Sequence, residues 1–312
     1  MQTVTMTGRD DRPPPAPRRA LMLVNPHARR GKEAMSVVDR LERGGLIVTV
    51  EHFASPDEAA ADIERRAKDI DLVIVCGGDG TVASAAGAVR RTGLPMGVLP
   101  LGTANDLART LGIPEALDGA ADVIIAGCTE RIDLGEVNGH PFFNVASLGL
   151  SARLAQGLTR EEKRRWGRLA YALHALKVLI GFRPFEAEIT NRDQTLRVRT
   201  LQISVGNGRH YGGGAVVHEH ASIVDGQLDL YSLDPRAVWK LALMFDTFRR
   251  GQHGVWSEVK TSRCFEFQVR TRRPRPVNAD GDIVTETPAR FVVRPAAVEV
   301  FVPAPPPPSR RP

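Results

Sequence analysis

From Ala20 onward, short apolar runs alternate with amphipathic stretches. Leu21 to Val24 is an apolar run that stops at Asn25-Pro26, as a buried strand ending in a turn does. Met35, Val38 and Leu41 recur at three-residue spacing and predict a helix that Gly44-Gly45 ends; Leu46 to Val50 resumes as a strand. Ser55-Pro56-Asp57-Glu58 offers a cap residue, a proline for the first helical position and two acids, so it predicts a helix start with its body over Ala59 to Lys68. Leu72 to Cys76 and Met96 to Leu99 read as further buried strands, and Val82 to Arg91 as a further helix. The alternation lasts to about Asp133 and predicts right-handed crossovers and a parallel sheet covered on both faces.

After Asp133 strand patterns dominate. Phe185–Thr190, Arg197–Val205, Gln227–Tyr231, Cys264–Val269 and Phe291–Val293 predict an antiparallel, sandwich-like or barrel-like second domain. Two helical stripes interrupt it, one through Trp166, Leu169, Leu173, Leu176 and Ile180, the other through Val238, Leu241, Phe245 and Phe248. No internal repeat is visible. The expected organisation is a Pro/Arg-rich disordered tail over 1–19, an α/β domain over 20–134, a β-rich domain over 135–302 whose last segment can return to the first domain, and a Pro-rich disordered tail over 303–312.

Composition narrows the class. At 312 residues, with 42% hydrophobic and 25% charged residues, the chain can bury a large core, which excludes a disulfide-stapled mini-scaffold. A formal net charge of +6 permits attraction to phosphate, nucleic acid or an anionic membrane. The arginines are dispersed and aromatics are only 5% with no stacking ladder, so nucleic acid is not expected. Cys76, Cys128 and Cys264 lack metal-type spacing and suggest a reducing compartment. The N-terminus lacks the apolar stretch of a secretion signal, and the best apolar run, Tyr171 to Phe182, is broken by His174 and Lys177. A cytoplasmic protein is expected, with peripheral contact at the inner face of the membrane open to it.

The candidate chemistry lies where strands end. Leu72 to Cys76 runs into Gly77-Gly78-Asp79-Gly80-Thr81, and glycines there let backbone N–H groups close on an anion at a helix start. Asp79 would repel a bare phosphate, so its presence implies a Mg²⁺-bound nucleotide; the alternative is a plain turn with Asp79 as a helix cap. Neither the G-x-x-x-x-G-K-S/T nor the G-x-G-x-x-G phosphate motif occurs. A second polar turn, Leu99-Pro100-Leu101-Gly102-Thr103-Ala104-Asn105-Asp106-Leu107-Ala108-Arg109, also follows a strand, and parallel strands put both turns at one crevice. Asn105 or Asp106 as a simple helix cap stays open for either residue singly.

These two motifs together resemble the diacylglycerol kinase catalytic-domain family, which includes bacterial lipid kinases and the sphingosine and ceramide kinases. Further matches are Asn25-Pro26, Phe143-Asn144-Val145-Ala146-Ser147-Leu148-Gly149, Gly206 to Gly214, Asp225 to Leu230 and Ala279-Asp280-Gly281-Asp282, so the resemblance runs from about Ala20 to Val302. It implies a phosphofructokinase- or NAD kinase-like α/β domain, a β-rich C-terminal domain, and an active site between them that transfers the γ-phosphoryl group of Mg-ATP to a lipid hydroxyl. By motif position Asn25, Gly77, Gly78, Asp79, Gly80, Thr81, Gly102, Thr103, Asn105 and Asp106 would hold the nucleotide, with Asp79 organising Mg²⁺. A separate structural Mg²⁺ site would fall on Asp225, with backbone groups of Ser222 and Gln227, and the family's Asp-Gly-Glu motif corresponds to Asp280-Gly281-Asp282, with Asp282 as the base. The alternative for that last motif, taken alone, is a hairpin turn.

Four positions depart from the family pattern: Asp282 in place of Glu, Ala83 and Ser84 in place of Asn and Glu, and Ser55 as the nearest hydroxyl where relatives carry Thr near Phe53. They keep a second class in view, a nucleotide or lipid sensor of the same fold that transfers nothing. An NAD kinase would share the glycine loop but not the second motif. Lys163, Arg164, Arg165 and Arg168 flank the Trp166 stripe, which either docks on an anionic membrane or packs on the sandwich. His210 and Tyr211 either line the acceptor pocket or fill a turn.

Overall fold

The computed structural model describes residues 17–25, 31–156, 183–192, 194–211, 215–216, 221–236 and 259–305. The stripes expected around Trp166 and around Leu241, the basic cluster Lys163 to Arg168 and most of both tails lie outside the described residues.

Strands β1 (Arg18–Val24), β2 (Leu46–His52), β3 (Leu72–Gly77) and β4 (Met96–Pro100) run parallel in the order β2-β1-β3-β4. β3 and β4 are buried at every position, as strands covered on both faces must be. The helices of this half are α1 (Val38–Arg43), α2 (Pro56–Arg66), α3 (Asp79–Thr92), α4 (Asp106–Thr110) and α5 (Leu117–Ala126). Ser55 caps α2 by accepting from the Glu58 N–H at 3.2 Å, while the Glu58 carboxylate reaches back to the Ala54 N–H at 2.6 Å. The helix expected through Met35 differs: Gly31–Val37 winds as a 3₁₀ helix and only then becomes α1. Three residues per turn put Ala34 and Val37 inside, followed by Leu41, and leave Met35 48% exposed, so the buried stripe is offset by one position. α3 also starts earlier than its apolar pattern predicts, with Gly78 at the N-cap, so Asp79, Gly80 and Thr81 form its first turn.

The second half follows as β5 (Thr129–Val137), β6 (His140–Phe142), β7 (Val145–Gly149), α6 (Leu150–Gln156), β8 (Phe185–Thr190), β9 (Thr195–Thr200), β10 (Gln202–Gly206), β11 (His210–Tyr211), β12 (Ala215–Val216), β13 (Leu228–Leu233), β14 (Val259–Cys264), β15 (Glu266–Thr271), β16 (Pro276–Ala279), β17 (Asp282–Glu286) and β18 (Ala289–Phe301). An antiparallel sheet ordered β14-β13-β10-β7-β16-β17 packs on the strands β18, β15, β8 and β9, with Leu148, Ile203, Phe142, Phe267 and Phe291 buried together. Two of the expected strands are in fact pairs. Arg197–Val205 divides at Leu201 into β9 and β10, and Cys264–Val269 divides at Phe265 into β14 and β15. At both corners the chain passes from one sheet to the other without a loop, which a continuous alternating pattern cannot reveal.

β18 joins the two halves. It pairs antiparallel with β15 and β5, shifts register between Arg294 and Val298, and then runs parallel to β4. The shift is held by Asp133, a buried carboxylate that accepts from the Ala296 N–H at 2.8 Å and the Gly226 N–H at 2.6 Å. Ala296 takes a left-handed φ of 48° there. Glu136 pairs with Arg90 of α3 and with Arg294 of β18, tying the helix layer to the same seam.

Gly135 on β5 faces the Phe142 ring, which is fully buried, and a methyl at this position would lie 2.3 Å from a ring carbon. Gly135→Ala is expected to cost about 1–3 kcal/mol, read as a lower urea midpoint at unchanged slope. An unaltered midpoint would mean the seam is loosely packed.

Candidate active site

β1, β3 and β4 end at one edge, and their following residues interlock. Asn25 donates its backbone N–H to Cys76 O at 3.2 Å and its side-chain amide to Thr81 Oγ1 at 2.9 Å. Leu101 N–H donates to Gly77 O at 2.9 Å, which lays the second polar turn on the first. Contact is closest between Gly78 and Gly102, where a methyl on Gly102 would sit 2.6 Å from Gly78 Cα, so these two loops meet only as glycines.

The expected nucleotide residues separate into two groups. Asn25, Gly78, Gly80 and Thr81 line a crevice of about 370 Å³ together with Asp280, Gly281 and Asp282. Gly77 is buried behind them at the end of β3. Asn105 is spent on its own turn: at φ 50° its amide accepts from Gly102 N–H at 2.9 Å and donates to Gly102 O at 3.1 Å. Asp106 is buried at the start of α4, and Thr103 is exposed at the tip of the turn. Asp79 Oδ1 accepts from the Leu107 N–H at 3.2 Å and so ties the first turn of α3 to α4. Ser55 caps α2 at the crevice wall, and Ser84 donates to Thr81 O at 2.7 Å within its own helix.

Across the crevice the β16–β17 hairpin turns at Asp280-Gly281, both with positive φ, as a two-residue hairpin of this sequence prefers. Its two acids are held differently. The Asp280 carboxylate accepts from Phe143 N–H at 2.7 Å and from Asn144 and Val145 N–H at 3.0 Å each. Burial pushes its acid up to about 7 against the pull of these three amides, and the nearby Asp79 charge adds to the rise. The residue as a whole is only partly buried, because its backbone forms the rim while its carboxylate turns inward. Asp282 is exposed and points across the gap, so that a methyl on Gly80 would lie 3.3 Å from Asp282 Oδ2.

Two residues not singled out as site residues from sequence complete the arrangement. Asn144 is buried, gives its backbone N–H to Asp280, and directs its side-chain amide at Asp79 Oδ1 at 3.5 Å, so it touches both carboxylates. Asn207 donates its side-chain amide to Phe143 O at 2.9 Å and to Asp133 O at 3.1 Å. The signal for both was an asparagine at the edge of an apolar run. Asn144 Oδ1, Asn207 Oδ1 and Asn278 Nδ2 are buried without a partner among the described residues. An unpartnered amide oxygen beside Asp79 and a glycine cradle facing two acids fit a Mg²⁺–nucleotide, since Mg²⁺ takes one or two carboxylates and fills its shell with phosphate and water.

At the second proposed metal position the Asp225 carboxylate is already engaged within the chain. One Asp225 oxygen is ion-paired with Arg263, the other accepts from the Gln227 N–H at 2.9 Å, and Ser222 Oγ accepts from Val224 N–H at 3.4 Å. Arg263 also reaches Asp229 at 3.6 Å, so a guanidinium already supplies the positive charge a cation would bring. His210 lies against α4, its ring nitrogen 3.2 Å from Thr110 Oγ1, and burial followed by Arg209 and Arg109 holds its pKa below the usual imidazole value. The Tyr211 side chain lies outside the described residues.

Comparison with known proteins agrees with this layout. The sequence model of the diacylglycerol kinase catalytic domain matches residues 19–137, and that of the YegS C-terminal NAD kinase beta sandwich-like domain matches residues 144–302. A Mycobacterium tuberculosis protein named diacylglycerol kinase is 33% identical over 295 residues, covering 90% of this chain and 94% of that protein. A Bacillus subtilis protein of the same name is 29% identical over 282 residues, covering 88% and 93%. A crystal structure of a diacylglycerol kinase from Bacillus anthracis superposes with a TM-score of 0.72 at 20% identity, over 92% of this chain and 97% of that one.

The raised Asp280 acid has a measurable consequence. Between the ordinary carboxylate value of about 3.9 and about 7, the folded chain holds a proton that the unfolded chain has released, so this group lowers stability as pH rises through that window. In metal-free buffer the stability of the native protein relative to Asp280→Asn should fall from about pH 4.5 to about pH 7.5. A pH-independent difference in urea midpoint would show Asp280 ionised throughout.

Proposed function

Because the chain belongs to the diacylglycerol kinase catalytic-domain family, we propose that it is a lipid kinase that transfers the γ-phosphoryl group of ATP, with Mg²⁺, to the hydroxyl of a lipid alcohol such as a diacylglycerol. The reading is carried by one observation: the glycine turn of the first half and the Asp280-Gly281-Asp282 turn of the second line the same crevice. Nucleotide phosphates would lie against Gly78 to Thr81, where the N–H groups of the first turn of a 14-residue helix favour negative charge. Asp79 and Asn144 are placed to hold Mg²⁺ or its water, and the ion, when bound, neutralises charge on the transferring phosphoryl.

Asp282 is the proposed general base. Its exposed carboxylate, unlike that of Asp280, is not tied to backbone amides, so it can accept the proton an alcohol gives up as the new P–O bond forms. Asp280 is the proposed positioning residue, because its hydrogen bonds to residues 143–145 fix the hairpin that carries Asp282. A second reading, binding without transfer, is favoured by the short reach of Asp282 and by Ser84, whose hydroxyl bonds its own helix.

Incubation with labelled ATP and a panel of lipid alcohols separates the two. Label entering an organic-phase product supports the kinase, and nucleotide binding without such a product supports the sensor. Asp282→Asn is expected to lower kcat by about 10²–10⁴-fold with nucleotide affinity retained. Asp79→Ala should abolish transfer, and undiminished transfer in that variant would remove the metal from the mechanism.

A further inference from the structure

The outward faces of β8, β9 and β15 form a trough away from the crevice. The strand register sets Arg270 beside Glu188, Glu188 beside Arg197, and Glu186 beside Arg199. Two hollows, of about 560 and about 500 Å³, share Glu186, Arg199 and Arg272 and are therefore continuous. Six arginines line them, at 197, 199, 270, 272, 273 and 275, against Glu186 and Glu188.

Pairing is sparse for such crowding. Arg197 bonds Glu188 at 3.2 Å, while Arg199, Arg270, Arg272 and Arg273 make no ion pair among the described residues. Arg275 lies 4.0 Å over the buried Phe185 ring, and burial together with Arg153 lowers its pKa. Six like charges facing only two carboxylates are relieved by a polyanion, and guanidinium forks suit phosphate oxygens in particular.

We propose that this trough is the surface on which the protein docks to an anionic lipid bilayer, its arginines binding headgroup phosphates. The inference rests on the lipid-kinase reading for its choice of partner. β16 leads directly from Arg275 to the Asp280 turn, a run of about 17 Å at the rise of an extended strand. The trough and the crevice that must receive a lipid hydroxyl thus lie at the two ends of one short strand. The trough offers no exposed ring for base stacking, since Phe185 lies beneath Arg275, and this disfavours a nucleic acid.

The test is co-sedimentation of the full chain with vesicles of phosphatidylcholine alone or of phosphatidylcholine and phosphatidylglycerol at about two to one. Binding to the mixed vesicles only, weakened by salt, is expected. The combined substitution Arg199→Gln, Arg270→Gln and Arg272→Gln should reduce it about a hundredfold, whereas the three Arg→Lys changes should retain most of it. Arg40→Gln, Arg91→Gln and Arg131→Gln, an equal loss of charge on other faces, should leave it nearly intact. Equal losses in both sets, no phosphatidylglycerol dependence, or trough-dependent binding of a DNA duplex without vesicle binding would each overturn the proposal. Vesicle binding needs no phosphoryl transfer, so a bound but inactive protein defeats the kinase reading and leaves the docking surface standing. An active kinase whose trough variant still binds vesicles does the reverse.

Discussion

The crevice depends on one buried carboxylate. Asp280 gathers the amides of Phe143, Asn144 and Val145, and through them a hairpin near the end of the chain is fastened to the segment that follows the first domain. Three charge-assisted hydrogen bonds in a shielded place hold better than an exposed ion pair, but they also oppose the cost of burying the charge. The arrangement fixes where Asp282 stands relative to Gly80, and it aims Asn144 at Asp79. That anchor adds to the backbone pairing of β16 with β7 in fixing the frame of the site.

A second constraint acts at the seam. Asp133 and Glu136, both on β5, satisfy groups from α3, from β18 and from the turn around Gly226, so one strand registers the two halves against each other. Buried acids of this kind are stable because every partner is an amide or a guanidinium. The Arg263–Asp225 pair and the Gln227 N–H bond serve the neighbouring turn in the same way.

Much of this was legible in the sequence where local chemistry decides it. The Leu72 to Cys76 run, the Ser55 cap and the glycines at 77, 78 and 80 each state their conformation in their own residue types. What was not legible depends on distant partners. The corners at Leu201 and Phe265 lie inside unbroken alternating stretches and are set by which sheet each half joins. Asp280-Gly281 reads as a hairpin turn, and it is one, yet nothing nearby tells that its carboxylate reaches strands more than a hundred residues earlier. Asn105 shows the opposite case, since its own side chain closes the turn that presents it beside a phosphate-type loop.

β18 also bears on how the molecule comes to be folded during synthesis. β4 belongs to the first half, yet one of its neighbours is β18, which is made after every other described strand. Until then the parallel sheet keeps an open flank of unpaired amides and carbonyls, the kind of edge that recruits other chains. The glycine loops can thus be translated early but are framed late, and the two halves mature as one unit once β18 is in place.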